Sequence, residues 1–182
     1  GIQGAIVMGT GMQPGILLEM GRMLSAVLKV IVGDKHVSRL LDKMAFGTYN
    51  RRFTPVRTQK DWLSRDTDKV DRYIADPMCG FLFTVNGFRT LFELIHRLYK
   101  QENLRKIPKE LPIFVVSGAD DPVGEYGEGV HRAVKSMEAA GLKKLTCKLY
   151  PDARHELLNE TDRVSVMEDL VCWMEKNVMQ FL

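Results

Sequence analysis

Residues 112 to 118 read PIFVVSG, an apolar run without interruption that stops on a glycine. A strand with one face in water alternates apolar and polar residues, so a run that does not alternate suits a strand covered on both faces of a parallel sheet. The residues after it narrow the choice further. EYGEGVHRAVKSMEAAG spaces Tyr126, Val130, Ala133, Val134, Met137 and Ala140 at helical intervals, and Gly141 supplies a stop. LTCKLY at 145 to 150 reads as the next strand. After it, TDRVSVMEDLVCWMEKNVM places Val164, Met167, Leu170, Val171, Met174 and Val178 on one helical face, with Thr161 or Asp162 to cap its start. Residues 108 to 182 therefore spell β-α-β-α. Such crossovers are right-handed and set neighbouring strands parallel.

One more strand stands far upstream, at residues 5 to 9 within IQGAIVMGTG, and residues 1 to 15 read as a core strand and its exit turn. The glycines of GTGMQPG fall at the wrong offsets for a dinucleotide loop, and Pro14 intrudes, which leaves a tight turn out of the sheet. Residues 16 to 107 differ in kind: helical patterns separated by polar stretches, the clearest with Phe88, Leu91, Phe92, Ile95, Leu98 and Tyr99 in phase. We read this segment as a mainly helical insertion between the first strand and the second. Inserted at the carboxyl end of a parallel strand, it would sit over the sheet edge where α/β proteins bind ligands. Its Met20, Met23, Met44, Met78, Phe81, Phe83 and Phe88 suit packing, and would also suit an acyl-chain pocket.

Composition excludes several classes. The chain has 182 residues, 45% hydrophobic and 27% charged, which fits a globular protein with a real core. Its net charge of +3 is scattered, without the basic stripe that nucleic-acid binding needs. The greasiest stretch, ILLEMGRMLSAVLKVIV at 16 to 32, carries Glu19, Arg22 and Lys29, so it reads as an amphipathic helix and not an integral membrane segment. Cys79, Cys147 and Cys172 have neither zinc nor disulfide spacing, and reduced, mostly buried thiols in a cytoplasmic protein are expected. His36, His96 and His131 lie on helical stretches without partners and read as surface or interface residues. No metal site and no cofactor are expected. There is no signal-peptide pattern, and an opening on a core strand suggests a missing N-terminal segment. The strand at 5 to 9 would then be a bare apolar edge, covered by that segment or by a homo-oligomer.

The chemistry lies at the ends of the second and third strands. Carboxyl ends of adjacent parallel strands open onto one crevice. The strand at 112 to 118 runs into Asp120-Asp121-Pro122, and the strand at 145 to 150 runs into PDARHELLNE with His155. On spacing alone two readings stand. Asp-Pro is a common solvated turn; equally, an acid followed one βα unit later by a histidine is the back half of a Ser…Asp…His order. Asp152 and Glu156 read as solvated or capping residues.

SGADDPVGEYGEGV and YPDARHELLNE resemble the acid and histidine segments of α/β-hydrolases, in the bacterial branch related to monoacylglycerol lipases and serine aminopeptidases, whose members are often labelled lysophospholipases. MGTG, DWLSRD and DPMCGFLFT resemble the strand and cap segments of that branch, so the likeness covers essentially the whole chain. The resemblance implies the C-terminal part of an α/β-hydrolase parallel sheet with a helical cap. It implies Asp121 as the catalytic acid, with Asp120 as the alternative one residue earlier, and His155 as the base.

The departure is equally informative. The family's nucleophile sits in a G-x-S-x-G elbow, and none of the chain's serines (Ser25, Ser38, Ser64, Ser117, Ser136, Ser165) has glycines at both offsets. The resemblance therefore implies a serine hydrolase acting on a small apolar or lipid-like ester, of which this chain supplies acid and base and is inactive alone. The alternative is a non-catalytic ligand-binding or assembly module on a partial hydrolase fold.

Overall fold

The computed structural model describes residues 1–178. Strands β1 (Ala5–Met8), β2 (Ile113–Gly118) and β3 (Leu145–Tyr150) form a parallel sheet in the order β1-β2-β3. The register sets Val7 beside Val115 and Val115 beside Cys147. Every residue of β2 is buried, which explains why its sequence does not alternate. Ile113 and Val115 point to one face, where α6 (Glu128–Ala139) packs Val130 and Met137 against them. Phe114 and Val116 point to the other, against Val166 and Trp173 of α7 (Arg163–Asn177). Val115 and Val116 are wholly shielded, each burial contributing about 1.5–3 kcal/mol. Strand β1 is only half-buried although its residues pack on both clusters, because β2 alone flanks it among the described residues.

Between β1 and β2 the described residues hold five α-helices: α1 (Gly15–Val32), α2 (Arg39–Phe46), α3 (Thr67–Ala75), α4 (Val85–Leu98) and α5 (Gln101–Leu104). Their starts follow from short polar side chains. The hydroxyls of Ser38 and Thr84 accept the N–H groups of Leu41 and Gly87, and the Asp66 carboxylate accepts that of Lys69. Leu41, Val85, Phe88 and Phe92 are the buried centre of this segment, with Leu18, Leu24 and Leu28 of α1 packed against them. Helix α1 lies along α4, and Gly21 allows the approach: a Cβ there would stand 3.0 Å from the Phe92 ring.

Several sequence expectations change. On α7 the buried stripe is Val166, Leu170, Trp173 and Met174, while Val164, Met167 and Val171 are exposed. Apolar residues wrap most of that helix, so periodicity offered two neighbouring stripes, and the large indole and the sheet select between them. The stretch assigned to this helix runs on to Met179, which lies outside the described residues. Neither Thr161 nor Asp162 caps α7 through its side chain; the Asp162 carboxylate instead accepts from Arg65 Nη2 at 2.7 Å. On α4, Leu98 is exposed. Met20, Met23, Met44, Met78, Phe81 and Phe83 are exposed to varying degrees, and Phe88 alone of that set is in the core. Cys147 and Cys172 are exposed and Cys79 is half-buried, because edge strand β3 and the outer face of α7 leave the first two uncovered. His36 lies in the loop before α2, not on a helix.

Candidate active site

The turn that carries Asp121 and the loop that carries His155 meet because Gly118 has no side chain. A Cβ there would stand 2.1 Å from the Ala153 carbonyl oxygen and 2.2 Å from that of Arg154, so any other residue would push the two loops apart. The contact is then stitched by the backbone. Ala119 N–H donates to Tyr150 C=O at 2.8 Å and Asp120 N–H to Ala153 C=O at 2.9 Å.

Asp121 is fully buried and its carboxylate is satisfied on both oxygens. Val123 N–H donates to Oδ1 at 2.8 Å, and the Ser117 hydroxyl, also buried, donates to Oδ2 at 3.2 Å. Oδ2 further lies 2.9 Å from His155 Nδ1. Its backbone carbonyl accepts Tyr126 N–H at 2.8 Å. Asp120 is half-buried, and it is its N–H rather than its carboxylate that contacts the loop carrying His155. The structure thus brings Asp121 and His155 together and leaves Asp120 beside them. An ionised carboxylate only accepts, so Nδ1 carries the proton and Nε2 has its lone pair available.

The imidazole is held on its other sides. The Trp62 ring lies 5.3 Å away between centroids, and Trp62 C=O accepts the backbone N–H of His155 at 3.4 Å. Gly9, at φ 64°, ends β1 against the ring: a Cβ there would meet His155 Cε1 at 3.1 Å. Tyr49 stands edge-on to Trp62, and burial, reinforced by the negative charge of Asp121, pushes its phenol up to about 12. A cavity of about 240 Å³ opens beyond Trp62, lined by Phe46, Tyr73, Cys79, Phe81 and Phe83 among others.

Sequence reasoning missed the residues that brace this pair. Trp62 and Arg65 belong to the DWLSRD stretch, but nothing in it announces contact with a loop ninety residues on. Ser117 looked like part of an apolar strand. Glu160 and Asp61 are buried carboxylates that spacing could not separate from solvated ones. Arg154 donates its Nη1 to Asp61 C=O at 2.6 Å and stacks its guanidinium 4.0 Å over the Phe53 ring; burial lowers it from its ordinary value. Among the described residues no group of three or more His, Cys, Asp or Glu side chains could hold a metal ion.

Three parallel strands, the crossover helix and an acid–histidine pair at the carboxyl edge define part of an α/β-hydrolase fold. The family model described as serine aminopeptidase, S33, matches residues 1–162, and the chain belongs to that family. Solved structures agree on the fold. A thermostable carboxyl esterase from Bacillus coagulans is 27% identical with a TM-score of 0.82, over 97% of this chain and 57% of its own. A soluble variant of the monoglyceride lipase of Saccharomyces cerevisiae is 20% identical with a TM-score of 0.67, at the same two coverages. A monoacylglycerol lipase from Paleococcus ferrophilus is 19% identical with a TM-score of 0.63, covering 60% of its chain. The chain thus spans little more than half the length of these structures. No helix among the described residues is long and apolar enough to cross a membrane.

Proposed function

We propose that this chain supplies the acid and the base of a serine ester hydrolase, Asp121 and His155, and that the attacking serine lies outside these 182 residues. One observation carries the reading: a fully buried carboxylate 2.9 Å from the Nδ1 of a partly exposed histidine, at the edge of a parallel sheet. His155 Nε2 takes the proton of the serine hydroxyl as it attacks the ester carbonyl, then passes it to the leaving alcohol. Asp121 fixes the Nδ1–H tautomer and stabilises the imidazolium that forms. Water, activated by the same imidazole, releases the acid from the acyl-enzyme.

Residues 16 to 107 act as the cap over this edge, between the strand and turn at 1 to 15 and the core part at 108 to 182. The aromatic cavity that shares Trp62 with the imidazole suits the apolar acyl group of a small or lipid-like ester. The likeness to carboxyl esterase and monoglyceride lipase structures supports an ester rather than a peptide as substrate.

A fluorophosphonate probe tests the division of labour, since it labels only an activated serine. A chain extended to include a G-x-S-x-G segment labels at that serine, and the 182-residue chain does not. Strong labelling of the 182-residue chain would overturn the assignment.

A further inference from the structure

Glu160 is as thoroughly buried as Asp121, yet it takes no part in the acid–base pair. We propose that Glu160 is a positioning residue, which holds the His155 imidazole on Asp121 by tying the base loop to the segment around Trp62. The inference rests on the reading of His155 as the base.

Four N–H donors converge on its carboxylate. Arg154 N–H donates to Oε1 at 2.8 Å and Thr161 N–H to Oε2 at 3.2 Å, both from the base loop. Arg65 donates its backbone N–H to Oε1 at 3.2 Å and its Nε to Oε2 at 2.8 Å, both from the helical segment. A carboxylate withdrawn from water is tolerated only where donors replace its hydration, and here they come in equal number from two parts of the chain. The pairing is felt at Arg65 too: burial alone would lower its guanidinium, but the hydrogen bonds and charges of Glu160 and Asp162 together outweigh that and raise it.

Position gives this junction its consequence. Arg154 directly precedes His155, so the bond to its N–H fixes the Ala153–Arg154 peptide, one unit before the residue that carries the imidazole. Along the backbone, Trp62 C=O accepts the His155 backbone N–H and Leu63 C=O accepts that of Glu156, the latter at 2.8 Å. The Ser64 hydroxyl donates to Asn159 C=O at 2.9 Å. Glu160 therefore stands where three consecutive contacts of the base loop with residues 62–65 are fastened by a charged pair. With that fastening loosened, His155 keeps its sequence neighbours but loses its fixed approach to Asp121.

The test uses Glu160→Gln, which keeps size and removes charge, and Arg65→Lys, which removes the Nε donor while keeping charge. In the 182-residue chain, nitrogen-15 and proton NMR reads the His155 Nδ1–H resonance, displaced downfield by its bond to Asp121. Both variants are expected to lose or broaden that resonance while their amide spectra remain folded. In a chain extended to include the serine, kcat for a short-chain ester is expected to fall about 100-fold with KM unchanged, the signature of a misplaced catalytic group. Should Glu160→Gln fail to fold, Arg65→Lys decides. An intact Nδ1–H resonance and unchanged kcat in a folded variant would overturn the role of Glu160. The same result alongside a large loss in Asp121→Asn would leave the acid–base assignment standing, whereas full activity in Asp121→Asn would remove both.

Discussion

A methyl group at Gly118 would meet two backbone carbonyls at close to 2 Å, and backbone cannot step aside as a side chain can. Gly118→Ala is therefore expected to destabilise the fold by about 3 kcal/mol, read from urea unfolding, by separating the Asp121 turn from the His155 loop. Gly15→Ala, with nothing within 4 Å of its Cβ, is the control and should leave stability unchanged or slightly higher. Asp61 makes a pH-dependent contribution. Burial would raise its carboxyl, but hydrogen bonds from the Thr58 hydroxyl and the N–H groups of Thr58 and Arg57 outweigh it, and the folded-state value is lowered. A depressed carboxylate stabilises above its unfolded-state value, about 3.9, and loses that contribution as pH falls through the lower folded-state value. Asp61→Asn should thus be less stable than the parent at neutral pH, and the gap should narrow in acid. A gap that stays constant down to pH values below the folded-state transition would contradict this reading.

At the scale of elements, strand β2 carries the greatest burial per residue, and its two faces are filled by different helices. Phe114→Ala, which removes the ring stacked 5.5 Å from Trp173, should cost about 3–5 kcal/mol, checked by thermal or urea unfolding. The three strands were readable from sequence to within a residue at each end. β2 is legible because a strand buried on both faces does not alternate, while half-buried β1 and the largely exposed β3 are marked by the turn signal or abrupt polar change at their ends. Which stripe of α7 faces the sheet was not readable, because its apolar residues exceed what one face can bury. The side-by-side placement of Asp121 and His155 was readable for a topological reason: both end neighbouring parallel strands. Glu160 and Arg65 were opaque because their importance lies in burial and in a meeting across 95 positions, neither of which leaves a local pattern.

Among the places where the described residues leave apolar groups uncovered, two bear on association. Strand β1 has β2 on one side only among the described residues, and α1 turns Ile16, Met23, Val30 and Ile31 to solvent at 73%, 69%, 87% and 71% exposure. Surface of this kind favours association. The 182-residue chain is expected to self-associate with rising concentration, measured by light scattering coupled to size exclusion. A constant monomer mass over the accessible concentration range would contradict that expectation.

We propose that Asp121, and not the carboxylate next to it, orients His155 in an ester hydrolase. The most direct measurement compares ester hydrolysis by Asp121→Asn and Asp120→Asn in a chain that includes the attacking serine. The geometry predicts a fall in kcat of about 10⁴-fold for Asp121→Asn, because an amide in place of the carboxylate stabilises the wrong imidazole tautomer. Asp120→Asn should change kcat little, since the contact it makes with the His155 loop runs through its backbone N–H. Equal losses in the two variants, or a larger loss at Asp120, would overturn the assignment of Asp121.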